Sequence, residues 1–222
     1  MYSKLYSGNL DTFDCTVRSC SVPSLQHNFG MFFVTCKKLH LSARASNKIE
    51  QEMSAVQVRE AVIGIVKQQS RLLQCISDEM YAYHCPLLKG TTGGHVRHSL
   101  DHIRRALEQF PVIRYDIRER NTVIEKDRIA ALKELESLLE LTLTVDDKKA
   151  KEAVQAAFML TAEGKEILLN STVEREMAFA VHHCIHHNAM IKGILQRQFP
   201  SVKIPDDFGL APSTANFRQH EN

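Results

Sequence analysis

Apolar side chains recur at spacings of three, four and seven from Val58 through Val62, Ile65, Leu72 and Ile76 to Met80. That period puts them on one buried face of a long helix. Asn47 followed by Glu50 makes a capping box for its start, and Pro86 sets its end near Tyr83. A loop with Gly90, Gly93 and Gly94 comes next. A second helix is expected from about His95 to Phe110, stopped by Pro111. After a polar stretch at 115–121, Thr122 and Glu125 offer another capping box. Ile129, Leu132, Leu135, Leu138 and Leu139 then give a third helix its apolar face.

Residues 153–170 break this rhythm. Ala162, Glu163, Gly164 and Lys165 read as a turn between runs carrying Phe158, Leu160, Ile167 and Leu169. The segment is read as a β-hairpin, with a helical extension as the competing reading. Ser171 with Glu174 opens a last helix from about Thr172 to Gln198, and Pro200, Pro205 and Pro212 break up everything after it. Residues 1–45 hold neither a period of 2 nor one of 3.6 and read as a leader outside the fold. The expectation is all-α: a four-helix bundle over 46–217, a small β-hairpin between its third and fourth helices, and a tail at 218–222.

A length of 222 residues favours one domain with appendages. Net charge is +2, with 28 basic side chains against 26 acidic ones, which gives no electrostatic ground for a nucleic-acid partner. No run of about 20 apolar residues exists, so no membrane partner is expected. The six cysteines form no CxxC pair and read as thiols in a reducing compartment, hence a cytoplasmic location. The basic, Ser- and Thr-rich leader permits a mitochondrial transit peptide; Asp11 and Asp14 argue against one.

Of 11 histidines, seven fall within 95–102 and 182–187. Helical residues four apart lie one above the other, so His183 and His187 can point two imidazoles at one ion, with His182 and His186 as a parallel pair beside them. His95, His98 and His102, separated by three and four, share an arc of roughly 60° on the second helix. One of them can supply a third imidazole. Three neutral nitrogens leave coordination positions open, as catalytic metal sites do. His27, His40, His84 and His220 stand alone and read as ordinary packed side chains.

Two look-alike motifs are excluded. His183-x-x-His186-His187 matches the HxxHH box of membrane di-iron desaturases, which need spans this chain lacks. The zinc-protease pattern HExxH is absent, and no Glu separates the histidines. Di-iron bundles need Glu-x-x-His motifs from paired helices. A single ion is therefore favoured.

HVRHSLDH at 95–102 and HHCIHHNAMI at 182–191, on two helices behind a long first one, resemble the DinB-like (YfiT-type) metal-binding bundle family. The nearest resemblance is to a subgroup marked by GxHxRHxLDH, YDxRER, ST-x-RE-x-AF and DFGLAPST. These stand here at Gly93–His102, Tyr115–Arg120, Ser171–Phe179 and Asp207–Thr214, the third with Glu174 ahead of Arg175-Glu176-Met177. The resemblance covers roughly 50–217. It implies a four-helix bundle with His98, His183 and His187 as ligands of one divalent ion, and His186 behind them.

Imidazole ligands suit zinc, nickel, iron or copper. The resemblance implies a metal-dependent enzyme of thiol transfer or small-molecule hydrolysis, with a small-molecule substrate. The alternatives are a non-catalytic metal- or ligand-binding bundle, as a homodimer or alone, and a pH-responsive histidine face. A closed four-ligand site, with His95 or His102 added, favours a structural ion; an open site facing a pocket favours catalysis. Asp101 and Glu176 are candidates to orient a ligand or act as base, each against the reading of a solvated helix residue. Arg118 and Arg120 either clamp an anionic substrate or pair with Asp116 and Glu119, the pairing being preferred.

Overall fold

The computed structural model describes residues 54–108, 111–117 and 119–220. All belong to one unit, Ala45–Asn222. The leader at 1–45, the Asn47–Glu50 capping box and Arg118 lie outside the described residues. Within them the chain is mostly helical, with one two-stranded and one three-stranded sheet.

Helix α1 runs through 54–75 and buries Ala55, Val62, Ile65, Val66, Leu72 and Leu73, the face its periodicity predicts. It stops short of Tyr83. Ser77 starts a separate helix α2 (Asp78–Ala82), its hydroxyl accepting from the Met80 N–H at 3.2 Å. Strands β1 (His84–Cys85) and β2 (Gly90–Thr91) pair antiparallel. They lead directly into α3 (Thr92–Leu107), which starts three residues ahead of His95 because the Thr91 hydroxyl accepts from the Gly94 N–H at 2.9 Å.

The polar stretch after Pro111 holds a strand that periodicity does not show, β3 (Val112–Arg114). Thr122 precedes a 3-10 turn (Val123–Glu125) without a side-chain cap, and Glu125 is turned elsewhere. The third long helix, α4 (Arg128–Leu143), is capped by Asp127, whose carboxylate accepts from the Ile129 and Ala130 N–H groups. A short helix α5 (Asp147–Ala150) follows.

Strands β4 (Ala153–Met159) and β5 (Glu166–Thr172) pair antiparallel around 160–165, with Gly164 at φ +76°. β3 joins β4 in parallel, giving the order β3-β4-β5. The Arg114–Glu166 ion pair links the outer strands.

The last long helix, α6 (Val173–Gln198), is capped by Thr172, one residue later than the Ser171–Glu174 box implies. The Ser171 hydroxyl donates instead to Glu176. Pro212 does not end structure but begins it, as the first residue of α7 (Pro212–His220), where its missing N–H costs nothing.

α3 packs on α6 and on α4. Cys184 on α6 lies fully buried with its thiol 3.5 Å from the Ser99 carbonyl on α3. Burial pushes that thiol up to about 12, so it is an inert packing group. α1 is clamped to α6 by amides: Gln69 donates to Asn188 at 2.9 Å and Asn188 to Gln68 at 3.0 Å, with Gln69 and Asn188 both buried. No helix among the described residues is long and apolar enough to cross a membrane.

Candidate metal centre

The facing surfaces of α3 and α6 bring His95, His98 and His102 against His183 and His187. The Nε2 atom of His183 lies 3.0 Å from Nε2 of His98 and 3.1 Å from Nε2 of His187. One ligand atom from each of these three rings lies within 4.8 Å of the others. Two nitrogens about 2.1 Å from a shared ion stand about 3.0 Å apart at a right angle and about 3.4 Å apart at the tetrahedral angle. The spacing therefore fits a common ion.

Hydrogen bonding alone fits less well. An imidazole nitrogen carries one proton or one in-plane lone pair, so His183 Nε2 completes one linear hydrogen bond, not two. A cation facing three lone pairs satisfies all three rings together.

His187 is 8% exposed, and its pKa is lowered to about 3. Burial is the main cause, followed by the neighbouring His183, His95, His186 and His102. The ring is neutral near pH 7. An ion on Nε2 would leave the His187 proton on Nδ1, which lies 3.1 Å from Nδ1 of His95. His187 then donates to His95, and the His95 proton sits on Nε2, a buried atom with no hydrogen-bond partner in the structure. Burial, then His186, lowers the His95 pKa as well.

His102 does not face the three-nitrogen cluster through Nδ1, which donates to the His98 carbonyl at 3.0 Å. Its buried ring is stacked between His183, at 3.8 Å, and Tyr115, at 4.9 Å between centroids. His182 and His186 are exposed, the His186 ring standing 5.2 Å from that of His187.

Glu176 is fully buried, not solvated. It accepts from the Tyr115 hydroxyl at 2.8 Å, the Ser171 hydroxyl at 2.6 Å and Arg175 at 2.6 Å. This carboxylate holds Tyr115, Tyr115 backs His102, and His102 backs His183. Burial and the Glu176 charge raise the Tyr115 pKa, so its hydroxyl stays protonated and donating. Asp101 pairs with Arg97 at 2.7 Å, and Arg97 also reaches Glu125 at 2.9 Å. Asp116 accepts from the Met159 N–H at 2.8 Å, and Arg120 forms no ion pair with Asp116 or Glu119. The preferred pairing of Arg120 is therefore not what the structure contains.

His95, His98 and His187 open onto a cleft of ≈ 670 Å³, whose walls include His84, Lys89, Arg97, Arg120, Asn121 and Glu125. His84 is exposed at this cleft, not packed. Lys89 and Asn121 carried no chemical signal in the sequence, because their loops are brought to the histidines only by the β1–β2 pairing and by the Glu125 contacts.

No family model matches the chain. A stretch of 108 residues is 32% identical to FK506-binding protein 5 of Rhizopus delemar, covering 46% of this chain and 26% of that protein. The chain thus spans about a quarter of the length of the curated relative it matches. No solved structure matches.

Proposed function

We propose that this chain is a four-helix bundle of the DinB-like (YfiT-type) kind, holding one divalent transition-metal ion on His98, His183 and His187. We further infer that it acts as a metal-dependent enzyme of small-molecule hydrolysis or thiol transfer. One observation carries this reading: three imidazole nitrogens converge at separations suited to one ion, and two of the rings, His98 and His187, line a cleft. Zinc, nickel and iron all suit such ligands. An ion there supplies Lewis-acid chemistry, polarising a substrate oxygen or thiol or acidifying a bound water.

The chain's own residues do the rest. His95 fixes the tautomer and tilt of His187, and His102, backed by Tyr115 and Glu176, holds the plane of His183. The His95 and His102 nitrogens in contact with His187 and the His98 carbonyl support an open three-ligand site over a closed four-ligand one. FK506 binding, the property in the fungal relative's name, does not transfer on a match covering 26% of that protein.

Cobalt(II) substitution tests the open site. The absorption spectrum of the cobalt-loaded protein is expected to shift when azide or cyanide is added, and apoprotein is expected to be inactive toward esters, amides and thiol acceptors that the metal-loaded protein turns over. A cobalt spectrum indifferent to both added ligands would favour a closed, structural ion.

A further inference from the structure

The cleft beside the histidines has a charge arrangement that the metal reading does not use. Its lining contains the cations Lys89, Arg97 and Arg120 and the anion Glu125. Arg97 and Glu125 neutralise each other at 2.9 Å, and Arg97 is held further by Asp101. Glu125 also accepts from the Asn121 N–H at 3.2 Å, so its carboxylate is committed to the wall. Lys89 and Arg120 remain, both exposed and neither ion-paired within the described residues.

Backbone conformation marks the same two rims. Among the described residues, the non-glycine residues with positive φ are Lys89, at 50°, and Asn121, at 58°. Both line this cleft. Lysine rarely adopts this conformation, asparagine more readily, and such residues recur at ligand sites. Each rim is also tied to the histidine floor. Gly90, next to Lys89, lies beside His95, where a Cβ would make ordinary contact with its Nε2 at 3.4 Å. Asn121, next to Arg120, is anchored through Glu125 to Arg97 on α3.

We infer that this cleft takes a substrate bearing an anionic oxygen group, a carboxylate or a phosphate, held between Lys89 and Arg120 at the rim while the rest of the molecule reaches the His98–His187 floor. This rests on the proposed metal site for the reacting end of the substrate, but not for the anion grip. Two cations without an ion-pair partner among the described residues, on the lining of one cleft, attract an oxyanion, and Asn121 lines the same cleft. The substrate is thereby narrowed from any small molecule to an acidic one.

Calorimetric titration of inorganic phosphate and of malonate into the metal-loaded protein tests the grip and separates phosphate from carboxylate. Lys89→Gln and Arg120→Gln, both exposed substitutions, are each expected to weaken binding at least tenfold while metal equivalents stay unchanged. Preference for one anion over the other assigns the group. Wild-type affinity in both variants, or no heat with either anion in the wild type, overturns the inference. The same titration on chelator-treated protein keeps the two proposals apart. Anion binding that survives there and is lost in the two variants supports the grip, even for a chain that takes up no metal.

Discussion

Nδ1 of His95 stands 3.1 Å from Nδ1 of His187, on the opposite side of the ring from the nitrogen that faces His183. His95 therefore acts on the metal site through a ligand. Removing it takes away the acceptor that fixes the His187 tautomer. His95→Ala is expected to weaken metal binding by about 10–100-fold with stoichiometry unchanged. A competition titration against a chromophoric chelator reads this directly. His182→Ala, an exposed ring, serves as the control and should leave affinity alone.

Tyr115 combines two roles that one substitution separates. Its ring stacks on His102, and its hydroxyl supports the buried Glu176. Tyr115→Phe keeps the stack and removes one of three donors to the carboxylate. The expected cost is about 1–3 kcal/mol of stability, read from urea unfolding, with metal equivalents unchanged. An unchanged unfolding midpoint would mean that the Glu176 contact does not support the fold.

Glycine positions give a graded test of the packing around α3. A Cβ at Gly93 would meet the Glu125 carbonyl oxygen at 2.2 Å and Tyr81 at 2.7 Å, whereas one at Gly94 would meet only the Thr91 hydroxyl at 3.2 Å. Gly64, inside α1, has nothing within 4 Å among the described residues. Gly93→Ala should destabilise by about 3 kcal/mol, Gly94→Ala by less, and Gly64→Ala should stabilise by about 0.5–1 kcal/mol. Thermal melts that do not follow this order contradict the close seating of α3 on the 3-10 turn.

The pH dependence of the metal-free protein follows from His187. Its folded pKa of about 3 lies below the ~6.5 of an exposed imidazole. Between those values the unfolded chain binds a proton that the folded chain does not, so stability rises with pH across this window. It is complete above pH ~6.5, falls as the solution is acidified below that, and levels off near pH 3. His95, lowered for the same reason, acts in the same direction. Melting temperatures in chelator from pH 7.5 to 4.5 should fall more steeply for the wild type than for His187→Gln. Parallel curves would show that His187 is not held neutral by the fold.

The sequence carried the long helices and the histidine faces because both are periodic signals. The face of α1 and the pairing of an α3 histidine with His183 and His187 follow from spacings of three and four. Helix starts were less legible, since a cap depends on which hydroxyl or carboxylate the backbone meets. Asp127, not Thr122, caps α4, and Thr172, not Ser171, caps α6. β3 escaped because three residues are too few to show a period and its partner, β4, lies about forty residues on. For Glu176 the sequence left a site role and a solvated helix residue equally open, because its three donors come from β5, α6 and the segment after β3. The Lys89 and Asn121 rims depend wholly on tertiary contacts.

The central claim is that His98, His183 and His187 together hold one ion. Its most direct test is the metal content, by plasma mass spectrometry, of purified wild type beside His98→Ala and the double variant His183→Ala/His187→Ala. The account predicts about one equivalent of a transition metal per chain in the wild type, with the metal lost in both variants while they remain folded. A wild type that holds no metal even after reconstitution, or variants that retain it, would contradict the account.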